Sequence, residues 1–204
     1  MNNERKSEKV PLTGMTKSEF EQICVDYDEP EFRGRQLFHW IYVQKERDIQ
    51  EMDNLPKKFR ETLTRKYRIP SLELAELKTS LSRKTIKYLF KISTGEKIES
   101  VLMEDGGRFT VCLSTQVGCA LGCTFCATAK MGFQKNLTVG EIVDQFLQLQ
   151  NESKHRITNV VFMGMGEPLL NYDRVIKAAE LLNHSEGIHL GAGKITISTA
   201  GVVP

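Results

Sequence analysis

Three of the five cysteines of this chain fall within the stretch GCALGCTFC at 118–126, where Cys119, Cys123 and Cys126 are spaced C-x3-C-x2-C. Three thiolates are an odd number for disulfides and one short of a closed tetrahedral zinc site. A 4Fe-4S cubane held by only three cysteines leaves one iron open to an outside ligand. Zinc with a fourth ligand, or incidental core thiols, is the alternative. Gly118 and Gly122 give the backbone the freedom to curl so that the sulfurs converge. A second candidate is GMGEP at 164–168, after the apolar run NVVFM. Its lone G-x-G fails as a dinucleotide fingerprint, because Leu169 stands where the third glycine belongs. Gly166 and its neighbours instead permit close approach to a ligand, and Glu167 can accept hydrogen bonds from an ammonium. A plain tight turn is the competing reading. GAGK at 191–194 is no phosphate loop, since Ile188 replaces its first glycine and Ile195 its Ser/Thr.

These residues need elements to hold them. Helical spacing is present at 18–25 (Phe20, Ile23, Cys24) and 34–44 (Leu37, Phe38, Trp40, Ile41), and a third helix is predicted over 56–67. The chain is therefore divided into a flexible polar tail at 1–14 and a helical accessory domain at 15–75. A β-hairpin extension follows at 76–104, with strands at 85–92 and 97–103 separated by STGE. From 105 the order becomes strand, cysteine loop, helix (137–150), strand, glycine loop, helix (172–183), strand. That order implies right-handed crossovers and a parallel sheet. The fold class is α/β, with 105–204 read as a portion of a longer (β/α) barrel or of an open α/β domain. The chain stops at GVVP just after a strand that no helix covers, so truncation of a longer domain is expected. TVGE at 138–141 is a capping box for the helix that follows. In FTVCLS, Phe109, Val111 and Leu113 share one face while Thr110, Cys112 and Ser114 share the other. Cys112 is thereby directed to the barrel interior, as are Thr196 and Ser198 on ITIST.

A formal net charge of +2 over 204 residues and an ordinary apolar fraction mark neither a nucleic-acid nor a membrane protein in bulk. No run reaches a membrane span, and MNNERKSEKVPLTG lacks the apolar core of a secretory signal. A cytoplasmic protein is expected, a compartment in which clustered cysteines bind metal or catalyse. Lys57, Lys58, Arg60, Arg65, Lys66 and Arg68 form a basic stretch interleaved with Phe59 and Tyr67. It reads as a solvated helix face with core aromatics, or as a stripe along an RNA backbone. The four histidines show no ligand spacing.

The cysteine spacing, its place after the first barrel strand and the adjacent Phe125 together resemble the radical S-adenosylmethionine (SAM) superfamily. Longer motifs are similar to one family within it: FRGRQLFHWIY, LPKKFRETL, KIESVLM, CLSTQVGCALGCTFCATAKMGF, KNLTVGEIVDQ, FMGMGEPLLN and KITISTAGVVP resemble, in order over 18–204, the adenine-C2 methyltransferases of 23S rRNA and tRNA. The resemblance implies a 4Fe-4S cluster on Cys119, Cys123 and Cys126, and S-adenosyl-L-methionine bound at Gly166, Glu167 and Ser198. Glu99 matches the residue proposed as general base. Cys112 matches the thiol that closes a disulfide with a methyl-carrying cysteine to release the product. As attacking thiolate, Cys112 is expected to have a depressed or conditionally lowered pKa. None of the five cysteines fits the methyl-carrying position; Cys24 lies in the helical module. The implied partners are 23S rRNA, tRNA and an electron donor such as flavodoxin or ferredoxin, with no membrane. Proline after the glutamate in GMGEP points to the C2 group rather than the paralogues that methylate adenine C8. A radical activase and a zinc-stabilised RNA-binding module are the other readings.

Overall fold

Apolar residues at helical spacing build the first of two units into which the chain divides, the division falling between residues 70 and 71. The structure is a computed structural model that describes residues 9–70 and 72–202. In the first unit α1 (Lys17–Asp26), α2 (Phe32–His39) and α3 (Lys57–Lys66) enclose Phe20, Leu37, Phe38, Ile41, Tyr42, Phe59 and Leu63. A capping box starts α1: the Thr16 hydroxyl accepts from the Glu19 N–H, and the Glu19 carboxylate accepts from the Thr16 N–H. α2 runs on as a π-helical turn, Trp40–Gln44, closed by Lys45 at φ 58°. The rings of Phe38 and Tyr42 lie 4.7 Å apart, and Phe20 meets both edge-on.

Residues 9–14, expected to be part of a flexible tail, belong to this unit. Val10–Pro11 (β1) pairs in parallel with Tyr67–Arg68 (β2), Leu12 is fully buried, and the Gly14 N–H donates to the Tyr42 hydroxyl at 2.9 Å. The apolar Val10 and Leu12, set within charged residues, give the reason. The rest of that tail, residues 1–8, lies outside the described residues.

The second unit is a six-stranded sheet. Its strands are β3 (Glu73–Thr79), β4 (Thr85–Lys91), β5 (Lys97–Asp105), β6 (Arg108–Cys112), β9 (Asn159–Phe162) and β10 (Ile195–Ile197), ordered β10-β9-β6-β5-β4-β3. A separate two-stranded ladder joins β7 (Gln116–Val117) to β8 (Lys135–Asn136). β6, β9 and β10 are parallel, as the strand–loop–helix order predicts; β3 to β6 are antiparallel. The expected hairpin is thus no separate extension but part of the same sheet. The junction is a two-residue turn in which Gly106 and Gly107 both take positive φ, and Asp105 faces Arg108. Asp-Gly-Gly is a strong hairpin signal.

One face of this sheet is closed by Tyr88, Phe90, Ile98, Ser100, Leu102, Val111, Val160 and Phe162, all buried. On it docks α4 (Val139–Glu152), which buries Ile142, Val143, Phe146, Leu147 and Leu149 and starts at the Thr138–Glu141 capping box. α5 is Tyr172–Asn183. The register places Lys87, Leu89, Glu99, Val101, Cys112, Val161 and Thr196 on the opposite, half-open face. No helix among the described residues is long and apolar enough to cross a membrane.

Gly34 tests the packing of the first unit. A Cβ there would overlap the α1 backbone at Phe20 and Glu21. Gly34→Ala is expected to lower stability in urea unfolding by about 1–3 kcal/mol through overpacking, and an unchanged midpoint would refute this close approach.

Candidate functional site

The chain leaving β6 passes directly into a buried segment, Leu113 to Gln116, before entering the cysteine loop. The β7–β8 ladder closes the base of that loop, with the Gln134 N–H donating to the Val117 carbonyl at 3.0 Å and the Cys119 N–H to the Gly132 carbonyl at 3.2 Å. Gly118 is required twice over: its φ is 70°, and a Cβ would collide with the Gly132 carbonyl. Gly122 has open space around it and no positive φ, so only one of the two expected glycines shapes the loop.

Cys119, Cys123 and Cys126 are all partly exposed, and all five thiols of the chain are free. The Leu121 N–H reaches the Cys119 sulfur at 3.4 Å, and the Cys126 N–H bonds the Cys123 carbonyl at 3.1 Å. The Ala129 N–H, with the Thr128 N–H and hydroxyl, holds the Cys126 thiol pKa below its ordinary value despite a small opposing effect of burial. Convergence of the sulfurs is not observed. Among the described residues no group of three or more His, Cys, Asp or Glu side chains is arranged to hold a metal. The structure brings the three thiols into one loop and leaves them apart within it.

The glycine loop after β9 packs on the Leu113–Gln116 segment. The Met165 carbonyl accepts from the Thr115 and Gln116 N–H groups at 2.9 and 3.1 Å, the Met165 N–H donates to Ser114 Oγ at 2.9 Å, and the Glu167 N–H donates to Gln116 Oε1 at 2.8 Å. Side chains on Gly164 or Gly166 would strike Ser114 or Gln116, and Gly166 has φ 99°. These glycines therefore serve close packing of protein on protein, where the sequence suggested approach to a ligand. Glu167 is buried, its Oε1 accepting the Leu169 N–H at 3.1 Å and its Oε2 the Ala200 N–H at 2.9 Å. Burial pushes this carboxyl up, but the Ala200 N–H, the Thr199 side chain and the Leu169 N–H outweigh it and hold the pKa below the usual carboxylate range. Ser198, exposed, follows β10 and donates its N–H to the Phe162 carbonyl at 3.3 Å. Gly166, Glu167 and Ser198 thus gather at the carboxyl ends of β9 and β10, beside the cysteine loop that follows β6. Open parallel sheets bind ligands at these ends.

Glu99 and Cys112 share the half-open face. The Glu99 carbonyl accepts from Ser114 Oγ at 2.6 Å, its N–H meets Met165 Sδ at 3.4 Å, and its carboxylate pairs with Lys87 Nζ at 2.7 Å. Cys112, opposite Val101 and Val161, does not have a depressed pKa in the resting chain, which leaves the conditional lowering of the two expected forms. Burial raises its thiol, and the Met163 N–H offsets this only in part. In the first unit Phe59 is core, while Lys57, Lys58, Arg65 and Lys66 are exposed on α3 and the Lys66 ammonium lies over the Tyr27 ring. A cavity of about 230 Å³ bounded by Ile86, Tyr88, Leu102, Phe109 and His155 contains none of the predicted site residues.

Residues 10–69 match the family model described as the ribosomal RNA large subunit methyltransferase N-terminal domain, and residues 113–204 match that of the radical SAM superfamily. A Symbiobacterium thermophilum protein named probable dual-specificity RNA methyltransferase RlmN is 45% identical over 196 residues, covering 95% of this chain and 53% of that protein. A protein of the same name from Thermotoga neapolitana is 47% identical over 171 residues, covering 84% of this chain and 50% of its own. The crystal structure of a radical SAM methyltransferase from Sphaerobacter thermophilus superposes with a TM-score of 0.88 at 41% identity, covering 96% of this chain and 58% of that chain. The chain belongs to the radical SAM RNA methyltransferase family. It spans about half the length of the curated relatives it matches.

In this member of the radical SAM RNA methyltransferase family, the sequence reading missed the polar residues that hold the site together. Gln145 on α4 is fully buried, its Oε1 accepting from Ser114 N and Ser100 Oγ and its Nε2 donating to the Ser114 and Glu141 carbonyls. Asn171 Nδ2 donates to the Thr115 and Leu137 carbonyls, each at 2.9 Å, and Gln116 Nε2 to Asn136 Oδ1 at 2.7 Å. The available signal was Gln145 interrupting the apolar run IVDQFLQL on a face expected to be core.

Gln145→Leu would leave the Ser114 N–H and carbonyl and the Ser100 hydroxyl unpaired, and is expected to cost on the order of 3 kcal/mol or more in urea unfolding. A loss well below 1 kcal/mol would contradict the network's structural role. Thiol reactivity checks the cysteine environments. In the metal-free chain at mildly alkaline pH, peptide mapping after iodoacetamide should find the loop cysteines alkylated before Cys112. Cys24, fully buried with its pKa pushed up to about 12, should come last. Labelling of Cys112 ahead of the loop would overturn this order.

Proposed function

We propose that this chain is the cofactor-binding portion of a methyltransferase that modifies C2 of an adenine in 23S rRNA and in tRNA. The observation that supports it best is the three-thiol loop at the carboxyl end of the first parallel strand, in a chain 45% identical to a protein named probable dual-specificity RNA methyltransferase RlmN. The donor set suits a 4Fe-4S cluster by its chemistry, and the thiols, apart in this structure, would have to close on it: three uncommitted thiols share one loop with a closed base, and the N–H groups around Cys126 favour its thiolate. Cys119, Cys123 and Cys126 would hold it. Such a cluster, with SAM and an electron from a flavodoxin or ferredoxin, would supply the radical chemistry that an unactivated adenine carbon requires.

The chain's own residues bind and orient. Glu167 stays ionised, and with the Leu169 and Ala200 N–H groups and the Thr199 side chain on its carboxylate, it still has acceptor capacity for the ammonium of the methionine moiety. Gly166 and Ser198 border the same position. Glu99 takes the C2 proton. Cys112, as thiolate, would attack the sulfur of the methyl-carrying cysteine: the disulfide forms as the S–C bond to the RNA adduct breaks, and its electron pair leaves on the RNA carbon, which takes up a proton to become the methyl group. The methyl-carrying cysteine is not one of the five present. Burial keeps Cys112 protonated at rest, so its attack depends on a proton acceptor that arrives with the substrate complex. Proline at 168 favours C2 over C8. The reading places the protein in the reducing cytoplasm.

Anaerobic reconstitution with iron and sulfide should load the chain with equal amounts of each, and reductant with SAM should then yield 5′-deoxyadenosine. Cys123→Ala should lose both. Zinc without sulfide would sink the catalytic reading, and 8-methyladenine in the RNA product would move the assignment to the C8 group.

A further inference from the structure

Glu99 is held from two directions. Its backbone is pinned beneath the glycine loop by Ser114 Oγ and Met165 Sδ. Its side chain is pinned from β4, where Lys87 Nζ lies 2.7 Å from Oε1. The strand register explains the second hold. Lys87 stands opposite Val101 and Leu89 opposite Glu99, so Lys87 and Glu99 are a diagonal pair on the half-open face. Two other lysines on this face pair elsewhere: Lys78 Nζ is 3.0 Å from Glu76, and Lys91 Nζ is 3.7 Å from Glu73. Glu76, Lys78, Lys87, Leu89 and Glu99 border a recess of about 30 Å³, room for about one water.

We propose that Lys87 is a positioning residue for Glu99 in the proton-removing step. The inference rests on the reading of Glu99 as the base. A carboxylate acts as a base only when an oxygen sits within hydrogen-bond reach of the proton it takes. Glu99 is 42% exposed at its side chain, and a glutamate so placed samples several rotamers unless something holds it. The Lys87 ammonium fixes Oε1, and no hydrogen bond to Oε2 is formed among the described residues. Oε2 is therefore the oxygen that receives the proton: the C2–H bond breaks, its electron pair stays on the RNA adduct, and Glu99 becomes a neutral carboxyl still bonded to Lys87.

Lys87→Met, Lys87→Arg and Glu99→Gln in the full-length holoenzyme test this by single-turnover methylation of a tRNA transcript. Binding of the same fluorescently labelled transcript to the metal-free protein supplies a readout independent of activity. Lys87→Met should slow turnover about tenfold or more, as misplacement of a catalytic group does, while Kd and the urea midpoint stay unchanged. Lys87→Arg should recover most of the rate, because a guanidinium can make the same contact. Full turnover in Lys87→Met, or a weakened Kd with turnover intact, would overturn the assignment, the latter making Lys87 a phosphate contact. Full activity in Glu99→Gln would instead remove the base itself. Loss in Glu99→Gln with none in Lys87→Met removes only the role of Lys87.

Discussion

The architecture depends on satisfying the polar backbone of the segment that leaves β6. Ser114, Thr115 and Gln116 are almost wholly buried, yet only Gln116 enters a ladder, and that ladder has two strands. Buried peptide groups without partners are expensive. Here side chains and a neighbouring loop supply the partners. Gln145 takes both the N–H and the carbonyl of Ser114, Asn171 takes the Thr115 carbonyl, and the Met165 carbonyl takes the two following N–H groups. One helix, one strand end and one loop are thereby fixed to a single stretch of chain.

That arrangement accounts for where the candidate groups stand. The cysteine loop springs from Val117, whose carbonyl is held by the Gln134 N–H, so the loop's base is set although its sulfurs remain apart. The glycine loop reaches the same segment because Gly164 and Gly166 present no side chain to Ser114 and Gln116. Glu167 then projects between the Leu169 and Ala200 N–H groups. With the Thr199 side chain, those two hydrogen bonds overcome the effect of burial on its carboxyl, and they connect the end of β9 to the residues after β10. A well-hydrogen-bonded carboxylate at this place is an electrostatic fixture, and its charge is available without reorganisation.

Much of this was legible in the sequence, and the parts that were not share a cause. Period-two alternation in FTVCLS placed Val111 and Leu113 on the buried face and Cys112 on the other, because one face of a half-buried strand must be apolar. The TVGE box located the start of α4 through local hydrogen bonds that depend on nothing distant. What failed depended on long-range context. Gly164 and Gly166 look the same whether they admit a ligand or a neighbouring strand, and only the tertiary structure shows Gln116 occupying the space. The resting pKa of the Cys112 thiol is set by burial, which only the tertiary structure shows. The Asp-Gly-Gly turn that joins β5 to β6 is the exception, a local signal that makes the hairpin continuous with the sheet.

The two faces of the sheet divide stability from chemistry. The buried face contains Phe90, Ile98, Val111, Val160 and Phe162, and its apolar burial is the dominant favourable term in folding. The half-open face contains Glu99, Lys87, Cys112 and Thr196, whose partial exposure means that they add little to that term. A half-exposed ion pair such as Lys87–Glu99 contributes at most about 1 kcal/mol. It is a costly geometry to maintain in entropy for so small a return in stability, since both side chains are long and flexible. A pair of this kind earns an explanation through orientation, and Glu99, anchored by backbone below and ammonium beside it, is the most constrained carboxylate on that face.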